Sequence, residues 1–187
     1  MIYCEILNSI LEKGCMSYNQ FLSSDFDKKL IFDLIDNNIL HLVDLDSFTY
    51  LAPNLLKTKD FLSNIEDTKH SSHLEKLINN LIYRRESFLT FMYSNIAVTK
   101  DSILNHFNES DLVISHYLLD IKDFKDLVLY SLNPLGCKYI NKTYSSDKII
   151  CNILKTLSLS NITNSNQVTF NNILKYHRFF GYIYIQI

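Results

Sequence analysis

Apolar positions in the first forty residues repeat with a helical period. Residues 2–13 carry isoleucine and leucine on one helix face, and Gly14 follows as the natural end of that helix. Ser17 and Gln20 have the spacing of a capping box, which predicts a short second helix. Residues 25–37 again place their apolar side chains on one face. The pattern therefore predicts three helices in succession.

After residue 38 the period changes from helical to two. Ile39–Val43 and Ser47–Leu51 alternate as two short strands of a hairpin would, and Pro53 closes this segment. Helix, short helix, helix and hairpin follow in this order in I-L-x-x-I-L-x-x-G, M-S-Y-N-Q-F-L, L-I-x-x-N-I-L-H-L and T-Y-L-A-P. This ordered set resembles the winged-helix (winged helix-turn-helix) domain.

The same plan recurs further along the chain. A long helical pattern over Leu74–Asn95 is followed by Thr99, which takes the capping place of Ser17. Residues 111–120 form the predicted third helix, and Ile121 opens a hairpin that continues through Phe124 and residues 127–132.

The two segments have nearly equal length. Ser17 to Pro53 spans 36 residues and Thr99 to Pro134 spans 35, so the repeats align at an offset of 81 to 82. The chain is therefore predicted to be mainly α with small β-hairpins (α+β), as tandem winged-helix domains plus a C-terminal helical and strand extension. The expected boundaries are 1–56 for the first unit, 57–73 for a connector, 74–136 for the second unit and 137–187 for the extension.

Composition narrows the function. The 187 residues include only three glycines, too few for a P-loop, a dinucleotide-binding turn or a kinase-type phosphate flap. No C-x-x-C pair is present, and His70 and His73 stand in a polar segment without an obvious third ligand, so neither a metal nor a cofactor is expected. No catalytic constellation is selected either, and the chain is predicted not to be an enzyme.

Charge argues against ordinary DNA reading. A winged-helix regulator places its third helix in the major groove, with lysine and arginine on the phosphates. Here residues 25–36 hold two lysines and four aspartates, a net of 2 − 4 = −2, and residues 109–120 hold three acids and no base, a net of −3. Two acidic helices should be repelled by DNA.

The net charge of −2 hides an uneven distribution. Residues 1–137 contain 12 basic and 19 acidic side chains, a net of −7, whereas residues 138–187 contain six and one, a net of +5. Aromatic side chains between these bases could stack on nucleobases. The alternatives are a solvated basic surface over a core-facing aromatic stripe, or docking onto the protein's own acidic part. The candidate nucleic-acid contacts are Lys138, Lys142, Lys148, Lys155, Lys175 and Arg178.

Two further candidate surfaces are predicted. The C-terminal strand is apolar enough to need a partner strand, from this chain or another, and its candidate contacts are Tyr182, Ile183, Tyr184 and Ile185. If the chain instead reads DNA as a regulator, a basic face has to be assembled in three dimensions from Lys28, Lys29, Arg84, Arg85 and Lys100. The adjacent arginines have a simpler alternative role, salt bridges to Glu75 or Glu86.

The architecture resembles the kite-type subunits of chromosome-maintenance (SMC) complexes and the middle components of ATPase-based antiphage systems. This resemblance implies an accessory subunit that binds a kleisin-like or ATPase partner or itself, with DNA contacted through the assembly. A winged-helix transcription regulator is the alternative, and a viral or phage host-interaction protein a weaker one.

Location is predicted from what the sequence lacks. No apolar run reaches the roughly 18 residues of a membrane span, and Glu5 interrupts the place of a signal peptide. The sequence therefore predicts a cytoplasmic protein without a membrane partner.

Overall fold

The structure is a computed structural model that describes residues 2–64, 68–123 and 127–159. Within these residues the chain is an α+β fold, dominated by helices and containing two antiparallel sheets of three strands each. The part of the predicted C-terminal extension after residue 159, including the predicted C-terminal strand, lies outside the described residues.

Seven elements between residues 2 and 63 form the first repeat. They are α1 (Ile2–Lys13), β1 (Met16–Ser17), α2 (Tyr18–Ser23), α3 (Lys28–Asp36), β2 (Leu40–Leu45), β3 (Phe48–Pro53) and α4 (Leu55–Ser63). The predicted capping box of α2 is confirmed: the Ser17 hydroxyl accepts from the Gln20 N–H, and the Gln20 side chain accepts from the Ser17 N–H. The helix α3 begins later than the apolar pattern suggested, because Asp27 caps it by accepting from the Lys29 N–H.

The same order of elements recurs in the second repeat. It comprises α5 (Thr68–Asn95), β4 (Ala97–Thr99), α6 (Lys100–Leu104), α7 (Glu109–Ser115), β5 (Leu119–Asp123), β6 (Val128–Leu132) and α8 (Pro134–Tyr139), and α9 (Ser146–Leu159) follows it. Thr99 caps α6 as expected. The predicted connector at 57–73 contains most of α4 and the start of α5 in the structure.

The predicted third helix of the second repeat is too long. The helix α7 ends at Ser115, a single 3₁₀ turn covers His116–Leu118, and β5 already begins at Leu119. The reason is the alternation in Leu119–Asp123, which pairs with β6 over its full length. Phe124, which the sequence placed in this hairpin, lies outside the described residues.

Both sheets have their last strand in the centre. The strand orders are β1-β3-β2 and β4-β6-β5, and all pairs are antiparallel. Leu40 pairs with Pro53 in the first sheet, and Leu119 pairs with Leu132 in the second. The hairpins are therefore equivalent at an offset of 119 − 40 = 79, smaller than the 81 to 82 inferred from the two prolines.

An asparagine follows each hairpin and confirms this alignment. The Asn54 N–H donates to the carbonyl of Ile39, and the Asn133 N–H donates to the carbonyl of Leu118, over 2.9 and 3.1 Å. Each asparagine side chain also caps the next helix, α4 or α8. The hairpin and the following helix are thus joined in the same way in both repeats.

The first helices of the two repeats end in the same backbone conformation but with different residues. Gly14 follows α1 with φ 88°, and Ile96 takes the same place after α5 with φ 67°. Each N–H donates to the carbonyl four residues earlier, Ile10 or Met92. The left-handed conformation suits glycine, whereas a β-branched side chain raises its backbone energy by about 1–2 kcal/mol. The second repeat therefore retains an unfavourable residue at this turn.

The chain divides into two compact units that do not coincide with the repeats. The first comprises the described parts of Met1–Phe88 and His106–Tyr117, and the second those of Leu89–Asn105 and Leu118–Ile187. The helix α7, although it is the third helix of the second repeat, therefore belongs to the first unit, where it packs against β3.

Candidate functional site

The outer face of α3 is exposed and mixed in character. Ile31 and Leu34 point into the core, while Lys28, Lys29 and Asp36 are exposed. Phe32, in the middle of this outer face, is 50% exposed and its ring contacts Phe21 edge-on at 6.4 Å between centroids. A helix that packs in a DNA groove would present polar side chains here, so an exposed phenyl ring is the notable feature.

The helix α7 is buried where α3 is exposed. Alignment of the helix-capping residues, Asp27 and Asn108, pairs Phe32 with Val113 at an offset of 108 − 27 = 81. Val113 is 0% exposed, and five consecutive residues of α7, from Asp111 to Ser115, are buried. The helix α7 therefore has no face free for a nucleic acid groove.

An ion pair secures the start of α7. The Asp111 carboxylate is 2% exposed and lies 2.8 Å from Nη2 of Arg84 on α5. It also accepts from the N–H of Asn108, which closes a capping box, and Arg84 Nη2 donates to the Ser110 hydroxyl over 3.1 Å. Arg84 thus holds α7 in place, and its partner is Asp111, not one of the two glutamates that the sequence suggested.

The turn after α1 lies against this ion pair. A Cβ added at Gly14 would stand 3.0 Å from the Cβ of Ser110, so the turn and α7 approach closely. Burial, together with the Glu109 and Asp111 carboxylates and against the effect of Arg84, raises the pKa of Cys15 to about 11. Cys15 is therefore held as the neutral thiol at physiological pH, the less reactive form.

Arg85 is an internal residue. Its side chain is 1% exposed, and Nη1 donates to the Tyr117 hydroxyl over 2.9 Å. The Tyr117 ring contacts the His41 ring edge-on at 6.4 Å between centroids, which connects the 3₁₀ turn after α7 to β2. Burial and the neighbouring Arg85 both lower the pKa of His41. Burial also lowers the pKa of His116, against the opposing effect of Asp44.

The five residues of the alternative basic face have different environments. Lys28 and Lys29 are exposed in the first turn of α3. Arg84 and Arg85 instead bind groups of the first unit, the Asp111 carboxylate and the Tyr117 hydroxyl. Lys100 belongs to the second unit and is half-buried.

The first three candidate lysines of the C-terminal region are exposed. Lys138, Lys142 and Lys148 are exposed, and Lys142 Nζ lies 6.0 Å from the centre of the Tyr93 ring, within cation–π range. The backbone of Lys155 belongs to α9. Lys175, Arg178, Tyr182, Ile183, Tyr184 and Ile185 lie outside the described residues.

The described part of the chain lacks a metal-binding cluster and a membrane-spanning helix. It contains no group of three or more histidine, cysteine, aspartate or glutamate side chains that could hold a metal ion. None of its helices combines the length and the apolarity needed to cross a membrane.

Comparison of the chain with protein-family models, curated proteins and solved structures finds no significant match.

Sequence reasoning missed the two residues that distinguish the third helices, Phe32 and Asp111. Phe32 lay outside the predicted apolar face of Phe26, Leu30, Ile31, Leu34 and Ile35, but it was not singled out as a surface residue. A signal for the burial of α7 was also present: Leu112, Val113 and Ile114 are three consecutive apolar residues, which indicates a helix covered on more than one side.

Proposed function

We propose that the chain is a non-enzymatic tandem winged-helix protein that acts as an accessory subunit in a protein assembly. The support for the architecture is the repeated order of helices and strands, with the central third strand in each sheet. An assembly built on an ATPase of the SMC or ABC type, in DNA maintenance or antiphage defence, fits this architecture, with an ATPase or kleisin-like subunit as the partner.

The observation that carries this proposal is the exposed Phe32 in the centre of the outer face of α3. In a DNA-reading helix this position faces base edges, where polar side chains give specificity. A half-exposed phenyl ring between lysines and aspartates is instead typical of the anchors at protein interfaces, where aromatic side chains are enriched.

Other elements of the first repeat also expose apolar side chains. Leu22 on α2, Leu42 on β2 and Phe48 on β3 are each about half exposed. The hairpin between β2 and β3 carries Asp44 and Asp46 as well, and both would repel phosphate. These helices and this hairpin are the elements that winged-helix regulators use on DNA, so their apolar and acidic character favours a protein partner.

A DNA-binding regulator remains the second candidate because Lys28 and Lys29 are exposed together at the start of α3. The burial of α7 restricts this candidate to one reading helix in each chain. The candidate would therefore need a second copy of the chain to reach a full operator site.

The first experiment separates these two functions. The full chain is titrated against fluorescein-labelled duplex DNA of random sequence at physiological salt, and fluorescence anisotropy is measured. We expect no saturable binding below roughly 1 μM, because non-specific contacts alone give dissociation constants of about 10⁻⁴ to 10⁻⁶ M. Selection of a duplex from a random library that binds at nanomolar concentration would establish the regulator instead.

The second experiment tests the partner surface. The chain is co-expressed with the proteins encoded beside it, and co-elution is measured by size-exclusion chromatography. We expect a stable complex with an ATPase or its linker subunit, lost in Phe32→Asp and retained in Leu56→Asp, because Leu56 is an equally exposed apolar residue on α4. A complex that survives Phe32→Asp would show that α3 is not the partner surface.

A further inference from the structure

The second unit contains a pocket with an apolar floor and a polar rim. Its volume is about 240 Å³, and it lies between the end of α5, α8 and the start of α9. The floor includes Met92, Leu132 and Cys137, all buried. Burial raises the pKa of the Cys137 thiol, so this side chain is neutral and adds to the apolar lining. An apolar cavity of about 150 Å³ is already large enough for benzene, so this pocket can take one aromatic ring or a short chain.

The rim of the pocket, defined here by Thr143, Ser145 and Lys148, has residues that carry two hydroxyl groups and one positive charge. The Ser145 hydroxyl accepts from the Lys148 N–H over 3.4 Å, which leaves its own hydrogen available to an incoming acceptor. Residues 138–153 hold three lysines and one aspartate, a local net charge of 3 − 1 = +2.

A second ammonium group stands beside the pocket. Lys142 Nζ lies 6.0 Å from the centre of the Tyr93 ring, and Tyr93 is one of the lining side chains. An anionic group at the rim would therefore meet Lys148 and the hydroxyl-bearing Thr143 and Ser145, with the positive charge of Lys142 near the Tyr93 ring, while the rest of the ligand lay on apolar side chains.

The backbone at Ile96 supports a role for this pocket beyond folding. Ile96 lines the pocket in a left-handed conformation with φ 67°, where the first repeat has Gly14. Glycine adopts this conformation without strain, whereas isoleucine adopts it at a conformational cost. Such unfavourable conformations concentrate at functional sites.

We propose that this pocket binds a small amphipathic anion, a carboxylate on an aromatic ring or short aliphatic chain. The apolar group occupies the floor beside Ile96, and the carboxylate is held at the rim by Lys148, Ser145 and Thr143. This site is independent of the interaction surface on α3, which belongs to the other unit.

The test uses 3-phenylpropanoate as the probe and 3-phenylpropanol as its neutral counterpart. Binding to the full ¹⁵N-labelled chain is followed by amide chemical shifts. We expect saturable shifts near residues 96 and 143–149, with a dissociation constant on the order of 1 mM or below, and binding of the alcohol weaker by a factor of about five or more. Failure of 3-phenylpropanoate to saturate, or equal binding of the alcohol, would overturn the proposal.

Three variants locate the site. Ile96→Gly keeps the backbone conformation and removes one wall, so we expect a stable fold and at least a tenfold weaker interaction. Thr143→Trp blocks the exposed rim and should have the same effect if Ile96→Gly does not fold. Lys148→Glu should weaken the binding of 3-phenylpropanoate at least fivefold and leave the binding of 3-phenylpropanol unchanged. Lys138→Glu is the matched control, because Lys138 is an exposed lysine outside the pocket lining. Unchanged binding in the folded wall variant, or equal effects of the two lysine variants, would contradict the assignment.

Discussion

The helices α3 and α7 occupy the same place in the two repeats but have opposite environments. Each follows an asparagine or aspartate cap and precedes a hairpin, yet Phe32 and Asp33 of α3 correspond to Val113 and Ile114 of α7. The helix α3 has one covered face, whereas five consecutive residues of α7, from Asp111 to Ser115, are buried. An equal place in a repeated topology therefore does not imply an equal role.

The two helices therefore differ in what they can contribute. The outer face of α3 is exposed, as the proposed partner surface requires, while α7 packs against β3. The ion pair between Arg84 and Asp111, and the contact between Tyr117 and His41, are two of the interactions that join α7 and its following turn to this unit.

Substitution of the equivalent residues Val113 and Phe32 by lysine should give the largest difference in the free energy of unfolding. Val113→Lys places an ammonium group in a fully buried position without a partner, so we expect a loss of about 4 kcal/mol in the free energy of unfolding, or no folding at all. Phe32→Lys at the equivalent exposed position should cost about 1 kcal/mol, mainly through the lost ring contact with Phe21. Urea denaturation followed by circular dichroism measures both. Similar losses in the two variants would show that the helices are covered alike.

The ion pair that holds α7 should give the next effect. Asp111→Ala removes the capping interaction and leaves the partly exposed Arg84 without its carboxylate, so we expect a loss of about 2–3 kcal/mol. Asp36→Ala, on the exposed end of α3, is the matched control and should change stability by less than about 0.5 kcal/mol. The free energy of unfolding of both variants is measured by chemical denaturation at pH 7. If Asp36→Ala lowers it as much as Asp111→Ala, the ion pair at α7 has no special importance for stability.

The helices after the hairpins offer a third comparison. Gly136 of α8 corresponds to Lys57 of α4, since each donates its N–H to the capping asparagine. A Cβ at Gly136 would overlap the carbonyl oxygen of Leu118, so Gly136→Ala should destabilise by about 2 kcal/mol. Lys57→Ala, at an exposed position, should be nearly neutral. Thermal unfolding of the two variants checks this, and a neutral Gly136→Ala would mean that α8 can move away from the hairpin.

The smallest effect concerns pH. The unfolded chain binds a proton at His41 near the usual pKa of 6.5, whereas the folded chain binds it only at lower pH. The free energy of unfolding should therefore fall as the pH drops below about 7. His41→Gln should flatten this slope, with His116 responsible for a remainder of the same sign. Denaturation at several pH values between 7 and 5 measures the slope, and an unaltered slope in His41→Gln would exclude the histidine.

Local patterns were enough to predict much of the fold. The caps at Ser17 and Thr99, the first helix and both hairpins depend on neighbouring residues, and the structure contains all of them near their predicted places. The end of α7 was placed too late because helix and strand compete over residues 116–120, and pairing with β6, a contact between distant residues, decides in favour of the strand.

The candidate site was less accessible from the sequence. The partner of Arg84 is 27 residues away at Asp111, and Arg85 is buried by contacts with Tyr117, 32 residues away, so neither environment is visible in a local pattern. The exposure of Phe32 likewise depends on which face of α3 other elements cover. Residue type and spacing predicted where the helices lie, but tertiary packing decides which of their faces are exposed.

The discontinuity of the first unit affects its synthesis. The strand β3 ends at Pro53. The second segment of this unit ends at Tyr117, in the 3₁₀ turn whose ring contacts His41 of β2, and this is 117 − 53 = 64 residues later. At about 5–20 residues per second, a ribosome needs roughly 3–13 s to make this stretch. During that time one side of the nascent sheet lacks α7, and a chaperone that binds apolar strands would find its substrate there.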